Sequence, residues 1–214
     1  GFGSGPTAVT NLVSNAGVVS TDVTGVGTTR NDLGACEYGG DKGIFGYGFY
    51  DAANVSMTNL VSNVGVVATD VTGVGTARAA LAACEYGDDK GIFGFGTTGS
   101  YVGMTNLVSN VGVVATDVTG VGTARITPAA CGYGYDKGIF GFGYNAVGAG
   151  IWSMTNLVSN AGVVATDVTG VGTARAEANA TQYGGDKGIF GFGRDASWTR
   201  VGVTNLVSNA GVVA

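Results

Sequence analysis

Histidine is absent from the 214 residues, so neither a Ser-His nor a Cys-His pair can be built. The commonest general base and metal ligand are missing with it. The side chains left for chemistry recur. Asp22, Asp70, Asp117 and Asp167 each stand in Thr-Asp-Val-Thr-Gly, with Arg30, Arg78, Arg125 and Arg175 eight residues later. Lys42, Lys90, Lys137 and Lys187 each follow an aspartate. Two carboxylates and two cations per repeat suit interlocking ion pairs between units. One carboxylate per turn is a thin donor set for calcium, which takes several oxygens. Asp88-Asp89 reads as a turn rather than a glycosidase pair. Cys36, Cys84 and Cys131 are 48 and 47 residues apart, a spacing that fits no metal motif. They read as small buried apolar residues, too far apart for a disulfide. The Gly-x-Gly pairs lack the Lys-Ser/Thr of a phosphate loop. We expect no enzyme activity, no metal and no cofactor.

The elements that would position these groups are set by repetition. Thr-Asn-Leu-Val-Ser-Asn occurs five times, its first Asn at Asn11, Asn59, Asn106, Asn156 and Asn205, in steps of 48, 47, 50 and 49 residues. Asp-Lys-Gly-Ile-Phe-Gly occurs four times. The chain divides into a partial unit, 1–23, and units 24–68, 69–115, 116–165 and 166–214, one repeat domain in all. Gly1-Phe2-Gly3 matches the tail of a second strand, Gly94-Phe95-Gly96. On that match the chain reads as four units and most of a fifth, a section of a longer repeat protein.

Within the unit 69–115 and its neighbour, four extended segments are expected: Ala79–Tyr86, Lys90–Gly96, Val102–Ser109 and Gly112–Ala115. Gly-Asp or Gly-Gly before Asp-Lys supplies a hairpin turn, and Ser-Asn-(Ala/Val)-Gly supplies another. No window repeats apolar residues at helical spacing, and 41 glycines among β-branched residues disfavour helix. The fold class is all-β.

Four strands in about 48 residues is the pattern of a propeller blade. Arg-x-x-x-Ala-Ala-Cys, then Asp-Lys-Gly-Ile-Phe-Gly-Phe-Gly, a variable loop and Thr-Asn-Leu-Val-Ser-Asn resembles the kelch repeat over nearly the whole chain. Here the glycine pair is split by an aromatic and the fourth strand lacks its Trp. The resemblance implies a kelch-like β-propeller of four-stranded blades, four complete and a fifth partial. It implies the small-residue strand innermost and Phe45, Phe93, Phe140 and Phe190 between blades. A copper oxidase of that family needs histidines this chain lacks. The sameness of the copies is also similar to highly repetitive phage-encoded proteins.

Repetition fails between the second and third segments. Those loops hold Phe49 and Tyr50, Tyr101, Tyr144 to Trp152, and Arg194 to Arg200 with Trp198. Both tryptophans and the only arginines outside the repeated position fall here. Variable aromatic loops on a rigid frame make binding surfaces. The expected function is a non-catalytic scaffold that binds protein or glycan through Phe49, Tyr50, Tyr101, Tyr144, Trp152, Arg194, Trp198 and Arg200. The alternative is a structural component of a phage virion or extracellular appendage, with self-association into a larger assembly. A net charge of −5 without basic runs argues against nucleic acid. No apolar run is long enough for a membrane helix. An extracellular or virion setting is favoured.

Overall fold

A computed structural model describes residues 7–146 and 150–214. The Gly1-Phe2-Gly3 tail lies outside the described residues. All regular structure described is β, in six small antiparallel sheets with no helix among them. The first three-stranded sheet is β1 (Gly34–Tyr38), β2 (Lys42–Gly46) and β5 (Thr58–Val61). Between β2 and β5 the variable loop forms a small hairpin, β3 (Phe49–Tyr50) with β4 (Ala53–Asn54). The second sheet is β6 (Ala82–Tyr86), β7 (Lys90–Gly94) and β8 (Thr105–Val108). In the third, β9 (Ala129–Tyr133) and β10 (Lys137–Gly141) pair with β13 (Thr155–Val158). Its variable loop carries β11 (Tyr144–Asn145) and β12 (Gly150–Ile151). The fourth is β14 (Asn179–Tyr183), β15 (Lys187–Gly191) and β16 (Thr204–Val207). In each the Asp-Lys strand lies in the middle. No sheet closes on itself.

Turn chemistry explains the first hairpin. Gly39 and Gly40 have φ of 63° and 75°, and Gly87 and Asp88 have 60° and 66°. Two successive left-handed residues bring the strand back on itself, which is why Gly opens this turn every time.

The fourth segment departs from expectation: each of the four larger sheets has three strands, and Gly112–Ala115 contributes only an isolated bridge, Val108↔Val114. A second bridge, Thr105↔Val118, lies four residues on. Between the two, the Asn106 side-chain amide donates to Ala115 O at 3.0 Å and to Asp117 Oδ1 at 2.9 Å. A side chain therefore occupies the gap where a continuous ladder would run.

The sheets pack in chain order, β1 against β6, β6 against β9 and β9 against β14. One apolar cluster fills each of these contacts, and each centres on a phenylalanine of the later sheet: Phe93, Phe140 and Phe190, all fully buried. The tip of each ring abuts a glycine of the sheet before it. A Cβ on Gly46 would stand 2.6 Å from Phe93 Cζ, and one on Gly94 would stand 2.7 Å from Phe140 Cζ. Glycine is required there to admit the ring. Phe45, with no complete sheet before it, is only half-buried. Backbone bonds also cross the contact, from Gly39 N to Asp89 O, Gly87 N to Asp136 O and Gly134 N to Asp186 O, each 2.7 Å.

The repeated charges pair within a sheet rather than between sheets. Arg30 reaches Asp70 at 3.9 Å, Arg78 reaches Asp117 at 4.0 Å, and Arg125 reaches Asp167 at 3.9 Å. The Lys-Asp pairs are between chain neighbours, such as Lys42 and Asp41 at 2.9 Å. Asp70, which opens the unit 69–115, thus closes the sheet before it. It accepts the Thr28 amide and hydroxyl at 3.0 and 2.7 Å and the Asn59 amide at 2.8 Å. Partial burial pushes the Asp70 carboxyl up, but these bonds and Arg30 outweigh it and hold the group below the usual carboxylate range.

Candidate functional site

Isolated β-bridges within the variable loops, and from them to the segment before the first strand, fix where the aromatic residues stand. Tyr101 bridges Thr97, Tyr144 bridges Ile126, and Arg194 bridges both Ala176 and Arg200. Trp198 sits at the tip of the fourth loop, in a turn where Asp195 accepts the Ser197 and Thr199 amides at 2.9 and 3.0 Å. These loops come from three successive sheets, and they put three rings in one row. Tyr101 and Tyr144 lie 6.1 Å apart edge-to-face, and Tyr144 and Trp198 lie 5.4 Å apart. Trp198 is 47% exposed, while Tyr101 and Tyr144 are half-buried. Beside Tyr101 a groove of about 450 Å³ runs between Val102–Met104 and the Asp117–Ala124 segment.

The other predicted residues are not part of this row. Phe49 and Tyr50 are exposed on the hairpin of the first loop. That loop reaches the second through Asn54, whose amide donates to Thr97 O at 3.1 Å. Trp152 is half-buried; its backbone N–H donates to Gly143 O, and its indole Nε1 is buried without a hydrogen-bond partner. Residues 147–149 of the Tyr144 to Trp152 loop lie outside the described residues. Arg194 Nε donates to Glu177 Oε2 at 2.7 Å, which leaves Arg200, exposed, as the freer cation of that loop.

A pair of carboxylates on the first strands was not foreseen. Glu37 of β1 and Glu85 of β6 face each other and share a hydrogen bond. Gly132 holds the equivalent place on β9, where a Cβ would lie 2.7 Å from Glu85 Oε1 and 3.0 Å from Gln182 Oε1. Burial, and after it the charge and hydrogen bond of Glu37, push the Glu85 carboxyl above its ordinary value of 4.5. A raised carboxyl favours the fold while protonated. Its contribution is present below the unfolded pKa and is lost as pH rises through the folded one. The aspartates of the Thr-Asp-Val-Thr turns, held low, act in the opposite sense and lose their contribution as pH falls. Glu85→Gln should therefore raise stability at neutral pH, with the gain shrinking as pH falls toward about 4.5 and absent below it. Urea titrations at several pH values check this, and a gain independent of pH would assign the effect to packing instead.

The three cysteines are free thiols. Each stacks against a glycine of the next sheet, as Cys36 Sγ does 2.6 Å from where a Cβ of Gly91 would stand. Burial pushes Cys36 and Cys131 up to about 12 and Cys84 well above its ordinary value, so the reactive thiolate is suppressed. Among the described residues no group of Cys, Asp and Glu is arranged to hold a metal ion. No helix described is long and apolar enough to cross a membrane. No protein-family model and no curated protein matches this chain.

Proposed function

We propose that the protein is a non-catalytic binding scaffold whose recognition surface is the row Tyr101, Tyr144 and Trp198. The observation that carries this reading is convergence. The loops differ in length and sequence, yet three of them deliver an aromatic ring to one contiguous group, with neighbouring centroids 5–6 Å apart. Such an aromatic group suits a sugar ring or apolar side chains of a protein partner, and Trp and Tyr are enriched among the residues that dominate binding at such surfaces. Arg200 and the hairpin of Phe49 and Tyr50 flank it as secondary contacts. The kelch-like propeller, with its small-residue strands toward an axis, is part of the same proposal. Four sheets of one design packed in chain order support it.

The test is a glycan array followed by titration of the best ligand. Trp198→Ala and Tyr144→Ala should each weaken binding by about tenfold or more, while Phe49→Ala changes it little. Binding untouched by both substitutions would sink the reading.

A separate observation favours the structural alternative. Val18, Val66, Val113, Val163 and Val212 hold the same place after the third strand of successive units, and all are exposed. A valine stripe along one edge is what side-by-side packing of neighbouring molecules would use.

A further inference from the structure

The groove beside Tyr101 is joined to the aromatic group through both of its walls. The near wall, Val102–Met104, follows directly on Tyr101, whose ring lies 6.1 Å from that of Tyr144. The far wall, Asp117–Ala124, runs on to Ile126, which bridges Tyr144. Asn145, the residue after Tyr144, donates its side-chain amide to Ala124 O. The groove therefore ends beside the contact of Tyr101 with Tyr144, within reach of a molecule that rests on those rings.

One position opens this place. Ser56 and Ser153 stand in their units where Gly103 stands in its own, and each lays a hydroxyl in the corresponding gap. Their Oγ atoms lie 2.0 Å from the points that a Cβ on Gly73 or Gly170 would take. Gly103 has no side chain to lay there and meets Gly120 backbone to backbone. With Gly122 also on the lining, much of the surface is main chain. Among the described residues the N–H groups of Gly103 and Gly120 and the Thr119 hydroxyl have no hydrogen-bond partner. Apolar cover comes from Val102, Met104, Val118 and Ala124. Of the lining residues only Asp117 is charged, and its oxygens are already engaged. They accept the Thr76 amide and hydroxyl at 3.0 and 2.6 Å and the Asn106 amide at 2.9 Å, with Arg78 at 4.0 Å.

We propose that this groove takes the acetamido group of an N-acetylhexosamine in a neutral glycan, an inference that rests on the reading of Tyr101, Tyr144 and Trp198 as a recognition surface. The C–H face of the sugar lies on the rings. Its acetamido methyl is covered by Met104 and Val118, and its carbonyl accepts from the free backbone N–H groups, an arrangement of apolar walls with a few placed polar groups. A sugar carboxylate would instead meet Asp117 with no free cation beside it. A sugar amine would find a carboxylate whose lone pairs are already used. Gly103 is then the position that sets specificity, apart from the rings that supply the stacking.

The test is calorimetric titration of the whole chain with sugars paired to differ only by acetamido for hydroxyl. The pairs are diacetylchitobiose with cellobiose, and methyl N-acetylgalactosaminide with methyl galactoside. The acetamido sugar of at least one pair should bind about tenfold or more tighter than its partner. Gly103→Ser should abolish that preference and leave the hydroxyl sugar unchanged; serine already stands at the equivalent positions 56 and 153, so the variant should fold. Trp198→Ala should weaken both members of the pair and keep their ratio. Equal binding within both pairs, or a preference that Gly103→Ser leaves intact, would overturn the groove assignment while the aromatic reading stands. Binding of none of the four sugars would overturn the assignment together with the glycan form of that reading, and would give the surface to a protein partner.

Discussion

Replacing Phe140 by alanine should lower the apparent thermal midpoint by roughly 6–20 °C. The ring is fully buried, lies on the backbone of Gly94 and meets Phe95 edge-to-face at 5.2 Å. The glycines beneath have no side chains to refill the space, so the cavity stays open. Loss of the ring then costs about 3–5 kcal/mol, and each kcal/mol moves the midpoint by about 2–4 °C in a chain of this size. Phe45→Ala, at the same place in the first sheet, is expected to cost less than half as much, because that ring is only half-buried. Calorimetry on the two variants checks the pair. Equal losses would mean that these rings stabilise their own sheets rather than the contacts between sheets.

Arg125→Ala is the second large effect, at about 3 kcal/mol. Burial pushes the Arg125 guanidinium down to about 10, so it stays charged at neutral pH. It donates to Phe142 O at 2.7 Å, Thr123 O at 3.1 Å and Asn156 Oδ1 at 2.7 Å, and stacks 4.1 Å from the centre of the Phe95 ring. Removing it leaves two buried acceptors and part of the Asp167 charge without a donor, each of them costly. Arg125→Lys should recover only a minor part, since one ammonium cannot reach three diverging acceptors. Arg175→Ala should cost clearly less, because its Nε and Nη2 have no partners to lose. Denaturant midpoints of the three variants give the order, and a cost for Arg175→Ala as large as that for Arg125→Ala would contradict this account.

The strands were legible because the chain states each of them several times. Lys90–Gly96 was expected and Lys90–Gly94 is found; the last two residues leave the strand because Phe95 and Gly96 take φ of 64° and 108°. Ala79–Tyr86 begins late, at Ala82, because Ala79 bridges Thr97 instead and Ala80 turns with φ 54°. Partnerships between units were harder to see. Asp22 and Arg30 are near in sequence, but Arg30 pairs with Asp70, about forty residues on, once the third strand has returned to the first. Tyr101, Tyr144 and Trp198 could each be singled out as an aromatic in a variable loop. Their alignment depends on the offset between neighbouring sheets, which no single repeat encodes. The Glu37–Glu85 contact was hidden for the same reason.

Tyr47, Phe95, Phe142 and Phe192 all hold left-handed backbone, with φ between 61° and 64°. A bulky side chain there costs on the order of 1–3 kcal/mol. For the first three the cost is offset by the next sheet, whose arginine covers the ring at 4.0–4.2 Å and whose phenylalanine meets its edge. The strained aromatic of each sheet is thus held by the successor, which gives the array a polarity like that of a one-dimensional lattice. In such a lattice stability is carried by nearest-neighbour terms. Loosening one sheet therefore uncovers the strained aromatic of the sheet before it, and opening passes backwards along the array one unit at a time.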